Sequence, residues 1–317
     1  MSDLLKNIDA RTKLAGTNKL EILLFTLGLD QRSGRRENFG INVFKVREVM
    51  RTPEITQAPE MPDSVEGMVS LRGSLVPVID LARYAGIHTD SKPEIMIVSE
   101  YNGHTQGFLV EAVDTILRLD WSSMRVPPEI LSNNMRGLVT AVTELDNGKL
   151  VMMLDVEKVL AETNQYDDSH EFKTITVAAD LTGKTVFFAD DSVVARKQIT
   201  KTLDTMGIHH IHAINGKKAW EELQKVALQA DAMGKRVKDM VHLILTDVEM
   251  PEMDGYMLTK QIKSDPRFAG IPVLMHSSLS GMSNQKLGQS VGVDAYVAKF
   301  EPQRLSETIS SMLRQYS

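Results

Sequence analysis

The chain of 317 residues contains no cysteine, which excludes disulfide scaffolds, zinc–thiolate sites and cysteine nucleophiles. It also lacks any apolar run of about 18 residues, so no membrane-spanning helix is predicted. The first 20 residues place Asp3, Lys6, Asp9, Arg11 and Lys13 among the apolar ones, which leaves no continuous apolar segment for a secretory signal. Together these absences predict a cytoplasmic protein.

An excess of positive charge is absent as well. The 36 lysines and arginines stand against 42 aspartates and glutamates, which gives a net charge of −6. Because nucleic-acid-binding proteins usually present a basic face, no nucleic-acid partner is expected. The length suits two domains of roughly 150 residues each. We place an N-terminal segment at 1–19, the first domain at 20–162, a polar linker at 163–182 and the second domain at 183–317.

The first domain is rich in short apolar runs that end at Gly, Pro, Asn or Asp, a pattern typical of an all-β barrel or sandwich. Asp146, Asn147 and Gly148 lie between two such runs and predict a hairpin turn. The predicted strands cover 20–29, 41–49, 73–81, 95–98, 107–113, 116–119, 137–142 and 150–154.

The second domain alternates apolar runs of strand length with helical patterns, which predicts βαβ units and an α/β fold with a doubly wound parallel sheet. We expect strands at 185–189, 241–245, 271–275 and 295–297, with a further one near His209. Helices are expected at 193–206, 217–234, 255–265, 283–290 and 303–315.

Polar side chains follow the predicted strands of this second sheet. Asp190 and Asp191 follow the first strand, Asp247 the third, Ser277 the fourth and Lys299 the fifth. Since ligands of open parallel sheets bind beyond the carboxyl ends of the strands, these groups are expected to converge. Carboxylates bind Mg²⁺ and can accept a phosphoryl group, while an ammonium and a hydroxyl can bind phosphate oxygens.

The stretches 186–192 and 243–255 resemble the receiver domain of two-component response regulators, which has a flavodoxin-like fold. That resemblance implies Asp247 as the phosphoacceptor. It implies Mg²⁺ bound by Asp190, Asp191, Asp247 and the backbone carbonyl of Glu249. It further implies Ser277 and Tyr296 as switch residues and Lys299 as the phosphate-contacting lysine. The spacings from Asp247 to Ser277 and from Ser277 to Lys299 agree with that family.

Two departures from the receiver pattern stand out. The interval from Asp191 to Asp247 is longer than is usual by about three helical turns, with the surplus around 227–238. Receivers also usually have proline directly after the lysine, whereas here Phe300 follows Lys299 and proline comes at Pro302.

The first domain has no catalytic constellation, and its most distinctive feature is Arg72-Gly73 between two apolar runs. With the segments 46–49, 107–113 and 137–155, this resembles the CheW-like coupling domain, whose fold is a pair of small β-barrels. Arg72 has two interpretations: it contacts a partner, or it pairs with Glu48 and holds two strands together. We favour the internal pair, because an Arg–carboxylate pair fixes strand geometry.

A CheW-like domain followed by a receiver resembles the CheV family of bacterial chemotaxis. The resemblance implies a non-enzymatic adaptor that couples chemoreceptor tips to the histidine kinase CheA, tuned by phosphorylation of Asp247. Contact with a membrane would come only through receptors. One alternative is a phosphate sink for CheA. Another is a phosphatase of the haloacid-dehalogenase type, but that class needs Asp-x-Asp on one loop, and Asp190 and Asp191 are adjacent.

Overall fold

The computed structural model describes residues 19–57, 61–101, 104–128, 130–131, 135, 137–163, 175, 179–277, 288–299 and 301–316. The described residues from 20 to 163 form one compact unit and those from 179 to 316 another. Residues 1–18 of the predicted N-terminal segment, Phe300 and most of the predicted linker lie outside the described residues. Within the described part of the chain, no helix is both long and apolar enough to cross a membrane.

The first unit contains two five-stranded sheets, which confirms the predicted all-β domain. One sheet has the order β8-β1-β2-β10-β9 and the other β3-β6-β7-β5-β4. The strands are β1 (Lys19–Thr26), β2 (Asn38–Asn42), β3 (Val46–Arg51), β4 (Val65–Leu71), β5 (Ser74–Asp80), β6 (Ile95–Tyr101), β7 (His104–Val110), β8 (Ala112–Asp120), β9 (Val139–Glu144) and β10 (Leu150–Leu154).

A 3-10 turn at Val43–Lys45 divides what the sequence predicts as one strand, 41–49. The Asn42 side chain starts the turn by accepting a hydrogen bond from the Phe44 backbone N–H at 3.0 Å. The chain thereby leaves β2 in one sheet and enters β3 in the other. The prediction of one continuous strand is therefore wrong. A polar side chain caps the break between the two strands, and hydrophobic periodicity alone does not reveal such a cap.

Helices α1 (Leu81–Tyr84) and α2 (Val156–Thr163) also belong to this unit, and residues 130–131 are helical as well. No helix was predicted at 156–163. Asp155 caps it, accepting from the Lys158 N–H at 3.1 Å. Val156, Val159 and Leu160 are buried on its inner face. Their spacing of three and four residues is the helical signal that directly follows β10.

The second unit is a five-stranded, all-parallel sheet of order β12-β11-β13-β14-β15, the predicted flavodoxin-like fold. Its strands are β11 (Thr185–Ala189), β12 (His209–Ala213), β13 (Leu243–Thr246), β14 (Val273–Ser277) and β15 (Ala295–Ala298). Its helices are α3 (Val193–Met206), α4 (Gly216–Ala232), α5 (Gly255–Ser264) and α6 (Pro302–Gln315). Residues 288–291 are also helical, and the rest of the helix predicted at 283–290 lies outside the described residues.

Separate apolar clusters cover the two faces of this sheet. Phe188, Leu245 and Leu274 pack with α3 and α6, while Phe187 and Ile244 pack with α4 and α5. Because both faces are covered, the central strands are continuously apolar. Ile175 and Leu181, from the range expected to be linker, are also buried in the first of these clusters.

The surplus residues around 227–238 form the end of α4 and a 3-10 turn at Val237–Asp239. Ala227, Ala230 and Val237 are buried in the core on the α4 side. The extension is therefore part of the packed domain, while Leu228 and Met233 on its outer side are exposed.

Candidate functional site

The ends of four parallel strands bring the predicted site residues of the second unit together. Asp190 follows β11, Asp247 follows β13, Ser277 ends β14 and Lys299 follows β15. The strands are hydrogen-bonded in the order that makes these ends neighbours, with Ala189 beside Thr246 and Ser277 beside Ala298. All four side chains are buried.

Lys299 lies between two carboxylates. Its Nζ is 2.8 Å from Asp247 Oδ2 and 2.9 Å from Asp190 Oδ2. Only 1% of the Lys299 surface is exposed. Because a buried charge needs a partner, this ammonium is held at the site by both carboxylates, and it holds them in turn.

Short backbone contacts orient the two carboxylates. The Val248 N–H donates to Asp247 Oδ1 at 2.6 Å, and the Ser192 N–H donates to Asp190 Oδ1 at 2.9 Å. Arg196 was not predicted as a site residue, yet its Nη1 donates to the Asp190 backbone carbonyl at 2.7 Å. Arg196 lies one helical turn after Ser192, the N-cap of α3. This spacing is the one feature of the sequence that could have indicated its role.

The chemistry of the donor set fits Mg²⁺. Asp190, Asp191 and Asp247 offer carboxylate oxygens within 4.8 Å of one another. Three carboxylates stand against the Lys299 ammonium and the Arg196 guanidinium, which contacts the Asp190 carbonyl, so negative charge is in excess beside the buried Asp190 and Asp247. A hard divalent cation with oxygen ligands would neutralise that excess.

The acceptor loop, which we define as residues 247–255, connects β13 to α5. The Gly255 N–H donates to the Val248 carbonyl at 2.9 Å, which closes the loop. A Cβ at Gly255 would lie 1.9 Å from the Asp247 carbonyl oxygen, so only glycine permits this approach. Glu249 is buried within the loop, and its predicted role as a carbonyl ligand stays a prediction.

Asp254 caps α5, and the pKa of its carboxyl group is raised. Its carboxylate accepts from the Met257 N–H at 2.7 Å. Burial raises the pKa of Asp254 to about 6, against the lowering effect of the Met257 and Tyr256 backbone N–H groups. Asp254 was not among the predicted site residues, although an aspartate before Gly255 is a recognisable N-cap signal.

Ser277 and Tyr296 are diagonal neighbours on adjacent strands, since Tyr296 pairs with Met275 and Ser277 pairs with Ala298. A hydrogen bond links their side chains, and burial nevertheless raises the pKa of Tyr296 well above its ordinary value. Ser277 is fully buried, whereas Tyr296 is half-buried. The Lys299 N–H also donates to the Ser277 carbonyl at 3.1 Å. Residues 278–287, which follow Ser277, lie outside the described residues.

The Arg72–Gly73 motif forms the turn between β4 and β5. Both residues have positive φ, 51° and 85°, as a type I′ hairpin turn requires. Arg72 Nη2 is 2.8 Å from Glu48 Oε2 on β3. The Arg72 side chain is largely exposed, whereas the Glu48 side chain is not. The two interpretations of Arg72, contact with a partner and a structural role in the internal pair, both stay predictions.

Comparisons with known proteins agree with this architecture. The CheW-like domain family matches residues 21–164, and the response regulator receiver domain family matches residues 186–310. The chain is 33% identical over 279 residues to Chemotaxis protein CheV3 of Helicobacter pylori, covering 87% of this chain and 88% of that protein. It is 28% identical over 331 residues to Chemotaxis protein CheV1 of the same organism, covering 99% of each.

A match to the first unit alone also exists. Chemotaxis protein CheW of Klebsiella aerogenes is 31% identical over 154 residues, which is 47% of this chain and 87% of that protein. The fold and the matches thus define a class, the chemotaxis signalling adaptors in which a CheW-like domain precedes a receiver domain. Within that class, the chain belongs to the CheV family of chemotaxis proteins.

Proposed function

We propose that this protein couples chemoreceptors to the histidine kinase CheA through its CheW-like domain, and that Mg²⁺-dependent phosphorylation of Asp247 tunes the coupling. The observation that carries the proposal is the buried site in which Lys299 bridges Asp247 and Asp190, on a chain whose other half is a CheW-like domain.

In the proposed transfer, a carboxylate oxygen of Asp247 attacks the phosphorus of a phosphohistidine on CheA. An oxygen–phosphorus bond forms, the nitrogen–phosphorus bond breaks, and the histidine nitrogen keeps the electron pair. Lys299 moves its hydrogen bond from the Asp247 carboxylate to a phosphoryl oxygen, and Ser277 donates its hydroxyl to another. Mg²⁺, when bound by the carboxylates, supplies positive charge that stabilises the phosphoryl oxygens.

Ser277 connects this chemistry to a conformational change. Its hydroxyl bonds to Tyr296 in the structure, so donating to a phosphoryl group would take that bond away. The Tyr296 ring would then shift at the edge of the sheet and alter the surface beside β15. This is the kind of local switch through which phosphorylation biases a two-state element.

Phosphotransfer from CheA is the decisive test of the receiver half. The full chain with Mg²⁺ is expected to take radiolabelled phosphate from phospho-CheA, and Asp247→Asn is expected to take none. Asp180→Asn, in the exposed ion pair with Arg314, is the matched control that should behave as wild type. A wild-type chain that accepts no label would overturn the regulatory half of the proposal.

The same variants separate tuning from a phosphate sink. Receptor-coupled CheA activity is measured with wild type and with Asp247→Asn, with and without phosphorylation. Tuning predicts that phosphorylation changes kinase activity at unchanged binding to receptors and CheA. A sink predicts that only the level of phospho-CheA falls.

A further inference from the structure

The acceptor loop contains a strained residue that the proposed chemistry does not use. Glu252 has a φ of 66°, and the other described non-glycine residue with positive φ is Arg72. The left-handed region is unfavourable for a glutamate because its Cβ approaches the carbonyl oxygen. Such a conformation persists only where neighbouring contacts hold it.

Those contacts come from the start of α4. Asn215 Nδ2 donates to Glu252 Oε2 at 2.9 Å, and Lys217 Nζ lies 3.7 Å from Glu252 Oε1. Asn215 is fully buried and also caps α4, accepting from the Lys218 N–H at 2.7 Å. One buried amide therefore serves the helix with its oxygen and the acceptor loop with its nitrogen.

Backbone packing reinforces this connection. A Cβ at Gly216 would lie 2.2 Å from the Met253 carbonyl oxygen, so the first turn of α4 rests directly on the acceptor loop. The two ends of the loop are held together where Gly255 contacts the Asp247 carbonyl. The loop is thus held at the phosphoacceptor and again at Glu252 and Met253.

We propose that Asn215 and Glu252 are positioning residues for the acceptor loop. By holding Glu252 in its left-handed conformation, Asn215 fixes the path of the chain between Asp247 and Asp254. That path includes Glu249, whose carbonyl is the remaining proposed Mg²⁺ ligand. This inference rests on the proposed Mg²⁺ site, because its consequence is the affinity of that site for the ion.

The variants are chosen to separate positioning from helix capping. Asn215→Asp keeps an oxygen for the Lys218 N–H and loses the donor to Glu252. Glu252→Ala removes the acceptor, while Glu252→Gln keeps an oxygen that Asn215 can reach. Glu221→Ala removes a carboxylate from the exposed pair with Lys218 on α4 and is the matched control.

Two measurements on the 317-residue chain are made for each variant: the Kd of Mg²⁺ by titration calorimetry and amide hydrogen exchange over 247–255. Asn215→Asp and Glu252→Ala are expected to weaken Mg²⁺ binding about tenfold, as changes behind a metal ligand do. They should also speed exchange in the loop, whereas Glu252→Gln and Glu221→Ala should match wild type.

Wild-type Kd and wild-type exchange in both disruptive variants would overturn the positioning role and leave Asn215 as a helix cap. A wild-type chain that binds no Mg²⁺ would instead overturn the proposed site. In that event the exchange rates alone decide whether Asn215 and Glu252 hold the loop, since they require no ion.

Discussion

At the scale of single residues, Lys299 supplies the positive charge that lets two carboxylates of the receiver lie close together. Its ammonium contacts both Asp190 and Asp247 within 3 Å and is almost fully buried. Removing one member of a buried ion pair leaves the other charge in a poor environment. The free energy of unfolding of this domain should therefore depend on whether the Lys299 ammonium or Mg²⁺ neutralises the carboxylates.

Lys299→Met tests that dependence. Without Mg²⁺ we expect the free energy of unfolding to fall by about 3 kcal/mol, because Asp190 and Asp247 lose their shared cation. Added Mg²⁺ should restore more stability to the variant than it adds to wild type, since it neutralises the same carboxylates. Urea unfolding with and without MgCl₂ measures both effects.

Lys225→Met is the control for Lys299→Met. Lys225 pairs with Glu222 on the exposed side of α4, away from the site. It should change stability little with or without Mg²⁺. Equal stability of Lys299→Met and wild type in the absence of Mg²⁺ would contradict the bridging role.

Asp254 should make stability depend on pH. Its folded pKa of about 6 lies above the ordinary value of 3.8 because the carboxyl is buried. The folded state therefore binds more protons than the unfolded state between these values, and stability is lost as the pH rises through 6.

Asp254→Asn keeps an oxygen for the Met257 N–H and removes the buried charge. We expect the variant to be more stable than wild type by about 1–2 kcal/mol at pH 8, with the advantage fading towards pH 4. Asp254→Ala, which also loses the cap, should be less stable than Asp254→Asn by about 1 kcal/mol at every pH. Thermal melts across this range would refute the account if the Asn and wild-type curves stay parallel.

At the scale of elements, helix α2 is held to the first unit by polar contacts that hydrophobic periodicity does not reveal. Lys45 Nζ is 2.8 Å from Glu157 Oε1, and the Glu157 side chain is 1% exposed. The Tyr84 hydroxyl donates to Glu162 Oε2 at 2.5 Å. Lys45 lies in the 3-10 turn between β2 and β3, so the pair joins α2 to the point where the chain changes sheet.

Lys45→Met should lower the free energy of unfolding by about 3 kcal/mol, because Glu157 is left with a buried charge. The double variant Lys45→Met with Glu157→Leu should recover much of this loss, since it removes both charges and keeps an apolar face. Urea unfolding of the single and double variants measures the coupling. Additive losses in the double variant would show that the pair does not join α2 to the turn.

The sequence predicts elements best where one physical signal dominates. Strand β11 and helix α3 have the predicted bounds, because a wholly apolar strand is followed by the Ser192 cap and a helical pattern. The turn at 43–45 and helix α2 were missed because Asn42 and Asp155 cap short elements whose apolar pattern is brief. Capping by one side chain carries too little sequence pattern to outweigh the strand signals around it.

In the candidate site, too, some contacts could be predicted from the sequence and others could not. Spacing along the chain brought Asp190, Asp247, Ser277 and Lys299 to one edge, because parallel strands place their carboxyl ends together. The contacts from Asn215 to Glu252 and from Arg196 to the Asp190 carbonyl could not be predicted in this way. They join residues 37 and 6 positions apart and depend on backbone geometry, including a left-handed glutamate.

At the scale of the whole molecule, each unit has its own apolar cores. Phe25, Phe39 and Phe108 belong to the main cluster of the first unit, while Phe187 and Phe188 belong to clusters of the second. No cluster among the described residues contains members of both units. Since each unit can bury a core of its own, each is expected to unfold in its own transition.

Differential scanning calorimetry of the full chain can assign these transitions. Mg²⁺ should raise the Tm of one transition only, because an ion that binds the folded receiver stabilises that domain by mass action. Lys299→Met should lower that same transition in the absence of Mg²⁺, whereas Lys45→Met should lower the other. A single transition that both substitutions and Mg²⁺ shift together would show that the two domains unfold as one cooperative unit. In that case the phosphoryl site and the CheW-like domain would be coupled in stability as well as in sequence.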